Sequence, residues 1–211
     1  MYLPTPFTET RPEILLAVMR ENSLATIVTA AGGVPYASHV PVLVDGPAIA
    51  GALKIRGHFA RANPHSKALG DGEQMLAIFH GPHCYVSPSW YEGSENVPTW
   101  NYVVVHAYGR VRPLDHSDSR GHLKELVDLN ERSAAEPWRM ESLPADLVDN
   151  LLTGIVGFEI AVDRLEGKLK LSQNRPPGDQ RRVRDRLQAS SDPTARDVAR
   201  WMALAETSRK A

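Results

Sequence analysis

A succession of short strand-like runs joined by tight turns is the feature that most constrains how this chain can fold. Residues 24–29, 36–44 and 48–55 are predicted strands, with a hairpin turn at residues 31–33. Pro41 lacks a backbone N–H group, so it favours an edge or a bulge within the second strand. Strands at such short, regular spacing favour an antiparallel barrel over a doubly wound parallel sheet.

The rest of the chain adds more strands and several helices. Strand patterns occupy residues 73–80, 84–87, 101–111 and 155–165, the last continued at residues 168–171. Residues 1–9 are predicted to be extended, and residues 56–64 form a polar connection. Helical spacing covers residues 10–21, 65–69, 116–131 and 144–152, with Thr10 and Glu13 as a capping box for the first helix. Two charged helices follow the Pro-Pro-Gly segment at residues 176–178, and Asp192 and Pro193 start the second of them.

Length and composition limit the function classes. A chain of 211 residues suits one domain with a helical appendage, and its net charge of −1 argues against wholesale binding of nucleic acid or anionic membranes. Its single cysteine, Cys84, excludes an internal disulfide and fits a reducing cytoplasm. Neither a signal-peptide pattern nor an apolar run of about 20 residues is present. The sequence therefore predicts a soluble cytoplasmic protein.

An aromatic stretch at residues 82–111 is the strongest indication of a ligand site. Trp90, Tyr91 and Trp100 lie among serine, threonine, asparagine and glutamate residues. Tryptophan normally packs in a core or contributes to a binding surface. The polar neighbours of Trp90 favour a site or a dimer interface. Trp100 alternates with Asn101, so it fits core packing and ligand contact equally well.

Five segments resemble one known family. They are residues 1–7, GHFARANP at 57–64, YVSPSWY at 85–91, VPTWNY at 97–102 and KLSQN at 170–174. Together they resemble the PaiB-type FMN-binding split-barrel proteins, a family labelled as negative transcriptional regulators. The resemblance implies a mainly β fold with helices (α+β), in which residues 1–174 form an FMN-binding split β-barrel. It also implies a C-terminal helical extension at residues 175–211, packed on or beside the barrel, and a homodimer with FMN near the subunit interface.

An FMN site needs cations and donors for the phosphate and a flat apolar surface for the isoalloxazine ring. The chain contains no GxGxxG motif and no P-loop, so side chains and loop amides must hold the phosphate. Arg61, Thr99 and Lys170 suit that role, since charge-assisted hydrogen bonds are strong. Tyr85 joins the two tryptophans as a ring contact. The resemblance implies these cofactor-binding residues: His58, Arg61, Asn63, Ser87, Trp90, Thr99, Trp100, Asn101, Lys170 and Gln173.

Several of these residues also have purely structural interpretations. Arg61 could pair with a surface carboxylate, and Asn63 before Pro64 could only shape a turn. Lys170 could be solvated, because its spacing alone indicates no ligand. No residue stands out as a catalytic acid or base, so the sequence leaves open whether the protein is an FMN-dependent oxidoreductase.

Three other chemistries deserve comparison with flavin binding. The basic run of Arg175, Arg181, Arg182, Arg184 and Arg186 could touch DNA, although Asp179 and Asp185 interrupt it and no helix-turn-helix is evident. A haem could take His58 or His106 as an iron ligand. His80, His83 and Cys84 have the spacing of only half a zinc site, and Cys84 lacks an orienting acid for nucleophilic chemistry. The sequence ranks flavin binding first, a DNA-binding regulator second and haem third, with no metal site.

Overall fold

The structure is a computed structural model that describes residues 1–30, 33–70, 72–93 and 95–207. Its contacts divide the chain into two compact units. The first unit comprises Met1–Val18, His80–Val105 and Glu166–Ala211, and the second comprises Met19–Phe79 and His106–Leu165. Residues 31 and 32 of the predicted hairpin turn lie outside the described residues.

Helices and strands alternate irregularly along the chain. The helices are α1 (Pro12–Glu21), α2 (His116–Glu131), α3 (Ala145–Leu152), α4 (Pro177–Gln188) and α5 (Pro193–Thr207). The strands are β1 (Thr8–Glu9), β2 (Leu24–Thr29), β3 (Tyr36–Pro41), β4 (Leu43–Asp45), β5 (Lys54–Ala60), β6 (Gln74–Val86), β7 (Thr99–Pro113) and β8 (Ile155–Lys170). Hydrogen bonding orders the described strands as β3-β2-β6-β7-β8-β5-β4, with β1 beside β8.

The second unit has an antiparallel sheet with an aromatic core. Strand β5 pairs with β8 from Lys54 opposite Ala161 to Ala60 opposite Ile155. Phe59 of β5 stacks on Phe158 of β8 with ring centroids 4.8 Å apart. Apolar residues alternate inward along these strands, so burial of their side chains supplies most of the stabilisation.

The first unit packs α4 and α5 against strand ends. Val183 and Leu187 of α4 and Trp201 of α5 are buried, at spacings that place them on single helix faces. The Asn101 amide on β7 donates to the Ser172 hydroxyl at 3.0 Å, and Ser172 adopts a left-handed φ of 66°. This buried polar pair is satisfied internally, as interior polar groups must be.

Most predicted elements are confirmed, and β5 is the main correction. Residues 48–53 were expected in a strand but lie outside it in a bend and a turn, because Gly46 and Gly51 adopt positive φ values of 89° and 77°. The strand starts at Lys54 and runs through the predicted polar connection to Ala60. Its glycine, Gly57, is required where the Phe158 ring packs, since a Cβ there would lie 2.5 Å from that ring.

Other differences concern element boundaries. The predicted strand at residues 36–44 is divided into β3 and β4, whereas β6 and β8 are each one strand where two were expected. Helix α1 begins at Pro12, two residues later than predicted, because the Glu9 carboxylate accepts hydrogen bonds from the Thr10 and Arg11 amides. The predicted helix at residues 116–131 has the boundaries that the sequence indicated. The predicted Asp192 cap is also confirmed, because its carboxylate accepts from the Thr194 amide. The mixed α and β fold class is confirmed as well. No helix in the described residues is long and apolar enough to cross a bilayer.

Candidate functional site

A groove lined by aromatic side chains lies in the first unit, and we call it the aromatic groove. Its volume is about 680 Å³, within the range of small-molecule sites. Trp100 and Tyr85 are 52% and 48% exposed, an unusual setting for two large aromatic side chains unless they bind something. Their rings meet edge to face with centroids 6.1 Å apart. The complete lining is His83, Cys84, Tyr85, Trp90, Trp100, Arg186, Leu187, Ser190, Asp192, Thr194 and Ala195.

Trp90 is held in the groove by a 3-10 turn at Pro88–Trp90. The Ser87 hydroxyl caps this turn by accepting from the Ser89 amide at 3.3 Å, and it also bonds the Ser89 hydroxyl at 2.8 Å. Ser87 therefore stabilises the turn that carries Trp90. A direct contact between Ser87 and a cofactor stays a prediction.

Lys170 forms the cationic end of the predicted site. Its ammonium group donates to the Thr99 hydroxyl and, at 2.7 Å, to the Trp100 carbonyl. Burial, together with the nearby Lys168 and Arg175 charges, lowers the pKa of Lys170. A bound phosphate would offset this mutual repulsion, so the electrostatics favour an anion here. Lys170 and Thr99, two of the three predicted phosphate ligands, are thus in direct contact, and their binding of a phosphate stays a prediction.

The opposite wall of the groove comes from α4 and α5, which the sequence did not connect with the site. The Asp179 carboxylate, 7% exposed, accepts the Glu92 amide at 2.9 Å and fixes α4 beside the Trp90 turn. Arg186 of α4 lines the groove, and its guanidinium makes no hydrogen bond or ion pair with any described residue. Its position in a basic run was the only signal that sequence reasoning could have used.

Two further predicted site residues have internal partners in the first unit. Asn101 is 1% exposed and bonds Ser172. The Gln173 side chain accepts from the Leu171 amide at 2.6 Å and donates to the Leu169 carbonyl. Both amides therefore stabilise the end of β8, and their predicted cofactor contacts stay predictions.

Three predicted residues belong to the second unit. Arg61 follows β5 and donates to the carbonyls of Thr153 at 2.5 Å and Ile155 at 2.7 Å. Its side chain is exposed and forms no described ion pair, so the surface-carboxylate interpretation has no support among the described residues. Donors of its guanidinium remain for a further acceptor.

Asn63 has the structural role that its place before Pro64 indicated. Its side-chain oxygen accepts from the His65 amide at 3.0 Å and its amide donates to the Ser38 hydroxyl at 3.0 Å. These bonds cap the 3-10 turn at Pro64–Ala68. Cofactor contact by Asn63 stays a prediction.

His58 of β5 lies beside His122 of α2. Its Nδ1 atom is 3.3 Å from Nε2 of His122, whose ring is fully buried. Burial lowers the pKa of both rings, that of His122 to about 4. The charged groups around the pair, Arg56, Glu125 and Asp45, largely neutralise one another through two ion pairs. The pair therefore fits a neutral, hydrogen-bonded contact between α2 and β5.

Acidification is expected to destabilise the protein through this pair. Because the folded state lowers the pKa of His122 from 6.5 to about 4, its stabilising contribution is complete above pH 6.5 and is lost as pH falls toward 4. The loss is about 3 kcal/mol at the acid limit. We expect the free energy of unfolding, measured with urea, to fall less between pH 7 and pH 4.5 in His122→Leu than in the wild type.

His116, an exposed histidine of the same helix, provides the matched control. His116→Leu should retain the wild-type difference between the two pH values. An equally steep acid loss in His122→Leu and wild type would contradict the assignment.

His80, His83 and Cys84 have the sequence spacing of half a zinc site. His80 and His83 meet edge to face at 4.9 Å, and within the described residues no three potential ligands are grouped to hold a metal ion. Burial and the Asp192 charge raise the pKa of Cys84 to about 11, so its thiol is protonated at neutral pH and is a poor nucleophile.

Comparison with known proteins identifies the fold and the family. A family model described as "Putative FMN-binding domain" matches residues 1–164. The chain is 37% identical over 202 residues to "Protease synthase and sporulation protein PAI 2" of Bacillus subtilis, with 96% of each chain covered. Such identity over nearly the full length of both proteins indicates a shared fold and ancestry.

Two solved structures share the fold at lower sequence identity. The FAD and heme binding protein from Mycobacterium smegmatis has a TM-score of 0.59 at 20% identity, covering 77% of this chain and 73% of that one. The flavocytochrome Anf3 from Azotobacter vinelandii has a TM-score of 0.60 at 16% identity, covering 77% and 69%. The predicted split-barrel fold with C-terminal helices is thereby confirmed. The chain belongs to the FMN-binding-domain family, the PaiB-type split-barrel proteins.

Proposed function

We propose that the protein binds FMN, with the isoalloxazine ring against the aromatic groove and the phosphate at Lys170 and Thr99. The observation that carries this proposal is the combination of two exposed aromatic side chains with an ammonium group bonded to the backbone of one of them. Trp100 belongs to both parts, since its indole lines the groove and its carbonyl accepts from Lys170. Family membership supports the same ligand.

Magnitudes explain why both parts are required. A hydrogen bond to a charged group contributes about 1.5–3 kcal/mol, whereas micromolar affinity requires about 8 kcal/mol net. Phosphate contacts alone would barely reach that value after the cost of ordering the ligand. Ring burial against Trp90, Trp100 and Tyr85 supplies the remainder. The predicted contact between Arg61 and the FMN phosphate stays a prediction.

When bound, FMN supplies redox chemistry, and the residues of this chain bind and orient it. We propose a flavin-dependent redox or flavin-sensing role in the cytoplasm, carried out by a homodimer. In this proposal residues 1–174 form the flavin-binding domain, and residues 175–211 are an extension that contributes Arg186 to the groove.

Titration of the purified protein with FMN tests the proposal. We expect tryptophan fluorescence to be quenched and the flavin absorbance bands to shift, with a dissociation constant in the micromolar range or below. An unchanged spectrum, together with an unchanged melting temperature at 1 mM FMN, would contradict it.

A DNA-binding regulator and a haem protein stay predictions with specific tests. Arg182 pairs with Glu92 and Arg184 with Glu206, so two of the five arginines in the basic run form ion pairs within the protein. Salt-dependent duplex binding that weakens on arginine replacement would support the regulator. For haem, the Nδ1 atom of His106 is buried and has no hydrogen-bond partner among the described residues. A Soret band that appears on haem addition and is lost in His106→Ala would support His106 as the iron ligand.

A further inference from the structure

A second cavity adjoins the aromatic groove, and we call it the arginine cavity. Its volume is about 470 Å³, and its lining is Ser89, Trp90, Tyr91, Arg182, Asp185 and Arg186. Trp90 and Arg186 line both spaces, so the cavity and the groove meet at these two side chains. One ligand could therefore occupy both.

The charges of the cavity favour an anion. Arg182 and Arg186 are four residues apart on α4, which places both guanidinium groups on one helix face. The Arg186 guanidinium makes no hydrogen bond or ion pair with another described residue. Arg182 pairs with Glu92, but both side chains are largely exposed, and such surface pairs are weak enough to be exchanged. The carboxylate of Asp185 is the acidic part of the lining, and it lies 4.0 Å from the Arg184 guanidinium.

Tyr91 forms the buried part of the lining of this cavity. The Tyr91 side chain is 6% exposed, and its buried hydroxyl has no hydrogen-bond partner in the described part of the chain. The Arg175 guanidinium covers the ring at 4.5 Å. Buried hydroxyl groups are normally paired, so the Tyr91 hydroxyl is an exception within the described residues.

The chemistry of the lining matches a phosphate attached to an aromatic base. Guanidinium groups bind phosphate oxygens in bidentate fashion, and an indole provides a surface on which a base can stack. A mononucleotide has a single phosphate and one ring system, which Lys170 and the aromatic groove already accommodate in the proposed function. The arginine cavity remains for a second nucleotide.

We infer that the arginine cavity binds the adenylate end of a dinucleotide whose other end reaches the aromatic groove. The adenylate could belong to the flavin itself, as in FAD, or to a nicotinamide dinucleotide reductant. Both share adenine and a diphosphate, which is the chemistry that Arg182, Arg186 and Trp90 recognise. The flavin part of this inference rests on the proposed function, whereas adenylate binding by the cavity does not.

Calorimetric titration with ADP, FMN, FAD and NADPH tests the inference on the full chain. Arg182→Gln should weaken ADP binding about tenfold, the loss expected for one charge-assisted hydrogen bond, and leave FMN binding within about twofold. Arg181→Gln is the matched control, because Arg181 is an exposed arginine of the same helix that lines neither space. It should change neither affinity.

Titrations with FAD and NADPH distinguish the two sources of the adenylate. If FAD binds more tightly than FMN and Arg182→Gln removes the difference, the flavin carries the adenylate. If NADPH displaces ADP while FMN stays bound, the reductant carries it. Either result supports the inference.

Other outcomes would overturn it. Absence of ADP binding, an equal effect of Arg181→Gln and Arg182→Gln, or a loss of FMN binding as large as that of ADP would each do so. Competition by duplex DNA for ADP, weakened equally by both substitutions, would show that α4 is a general polyanion surface instead. If FMN fails to bind while ADP binding still responds to Arg182→Gln alone, the proposed function is wrong and the adenylate site remains.

Discussion

Replacing Lys170 with glutamate is expected to weaken FMN binding by about 100- to 1000-fold. The substitution removes a charge-assisted hydrogen bond of about 1.5–3 kcal/mol and adds like-charge repulsion of about 1–4 kcal/mol at contact distance. Together these correspond to at least two powers of ten in the dissociation constant. Quenching of tryptophan fluorescence on titration with FMN measures the change, and a thermal melt checks that the variant folds.

Riboflavin provides the matched control for this prediction, because it has the same ring system without the phosphate. Its affinity should be nearly the same in Lys170→Glu and wild type. Trp100→Leu should instead weaken riboflavin and FMN by similar factors, about tenfold, because it removes a ring contact common to both ligands. If Lys170→Glu weakened riboflavin and FMN equally, the phosphate assignment would be wrong.

Gly109→Ala is expected to destabilise the protein by more than about 3 kcal/mol. An ideal Cβ at this position of β7 would lie 2.2 Å from the Ala161 carbonyl oxygen and 2.8 Å from Cγ2 of Ile160. Backbone atoms of a central strand cannot move aside as a flexible side chain can, so the overlap must distort the sheet. Urea unfolding should show a lower midpoint, or the variant should fail to accumulate in soluble form.

Gly121 of α2 is the control for the glycine substitution. A Cβ there meets nothing within 4 Å, and alanine favours a helix more than glycine does. Gly121→Ala should therefore raise the unfolding free energy by about 1 kcal/mol. Equal midpoints for Gly109→Ala and wild type would mean that β7 and β8 do not approach as closely as the structure shows.

Local signals in the sequence were sufficient for much of the fold. Helix α2 follows a capping aspartate, Asp115, and its boundaries were predicted to the residue. Strand β5 was misplaced because its inward positions are Ile55, Gly57 and Phe59, and a glycine interrupts the apolar alternation. Only the Phe158 ring on the neighbouring strand explains why a glycine occupies that buried position. Such a contact between distant segments has no local signature.

The candidate site also has a part that the sequence predicts and a part that it does not. Its aromatic residues and the choice of Lys170 and Thr99 as candidate phosphate ligands follow from a short polar stretch and a family resemblance. The opposite wall does not, because it depends on where α4 docks. Asp179, which the sequence presented as an interruption of a basic run, is the buried acceptor for the Glu92 amide that fixes this docking. Whether a carboxylate is solvated or buried depends on tertiary packing.

Because α4 and α5 line part of the aromatic groove, the binding of a ligand there is coupled to the docking of these two helices. Arg186 and the turn between α4 and α5 contribute atoms to the groove, so the occupied state exists only while these helices are docked. Each increment of binding free energy is then also an increment of protection against their local detachment. If the proposed ligand binds here, α4 and α5 should resist proteolysis better with the ligand bound than without it.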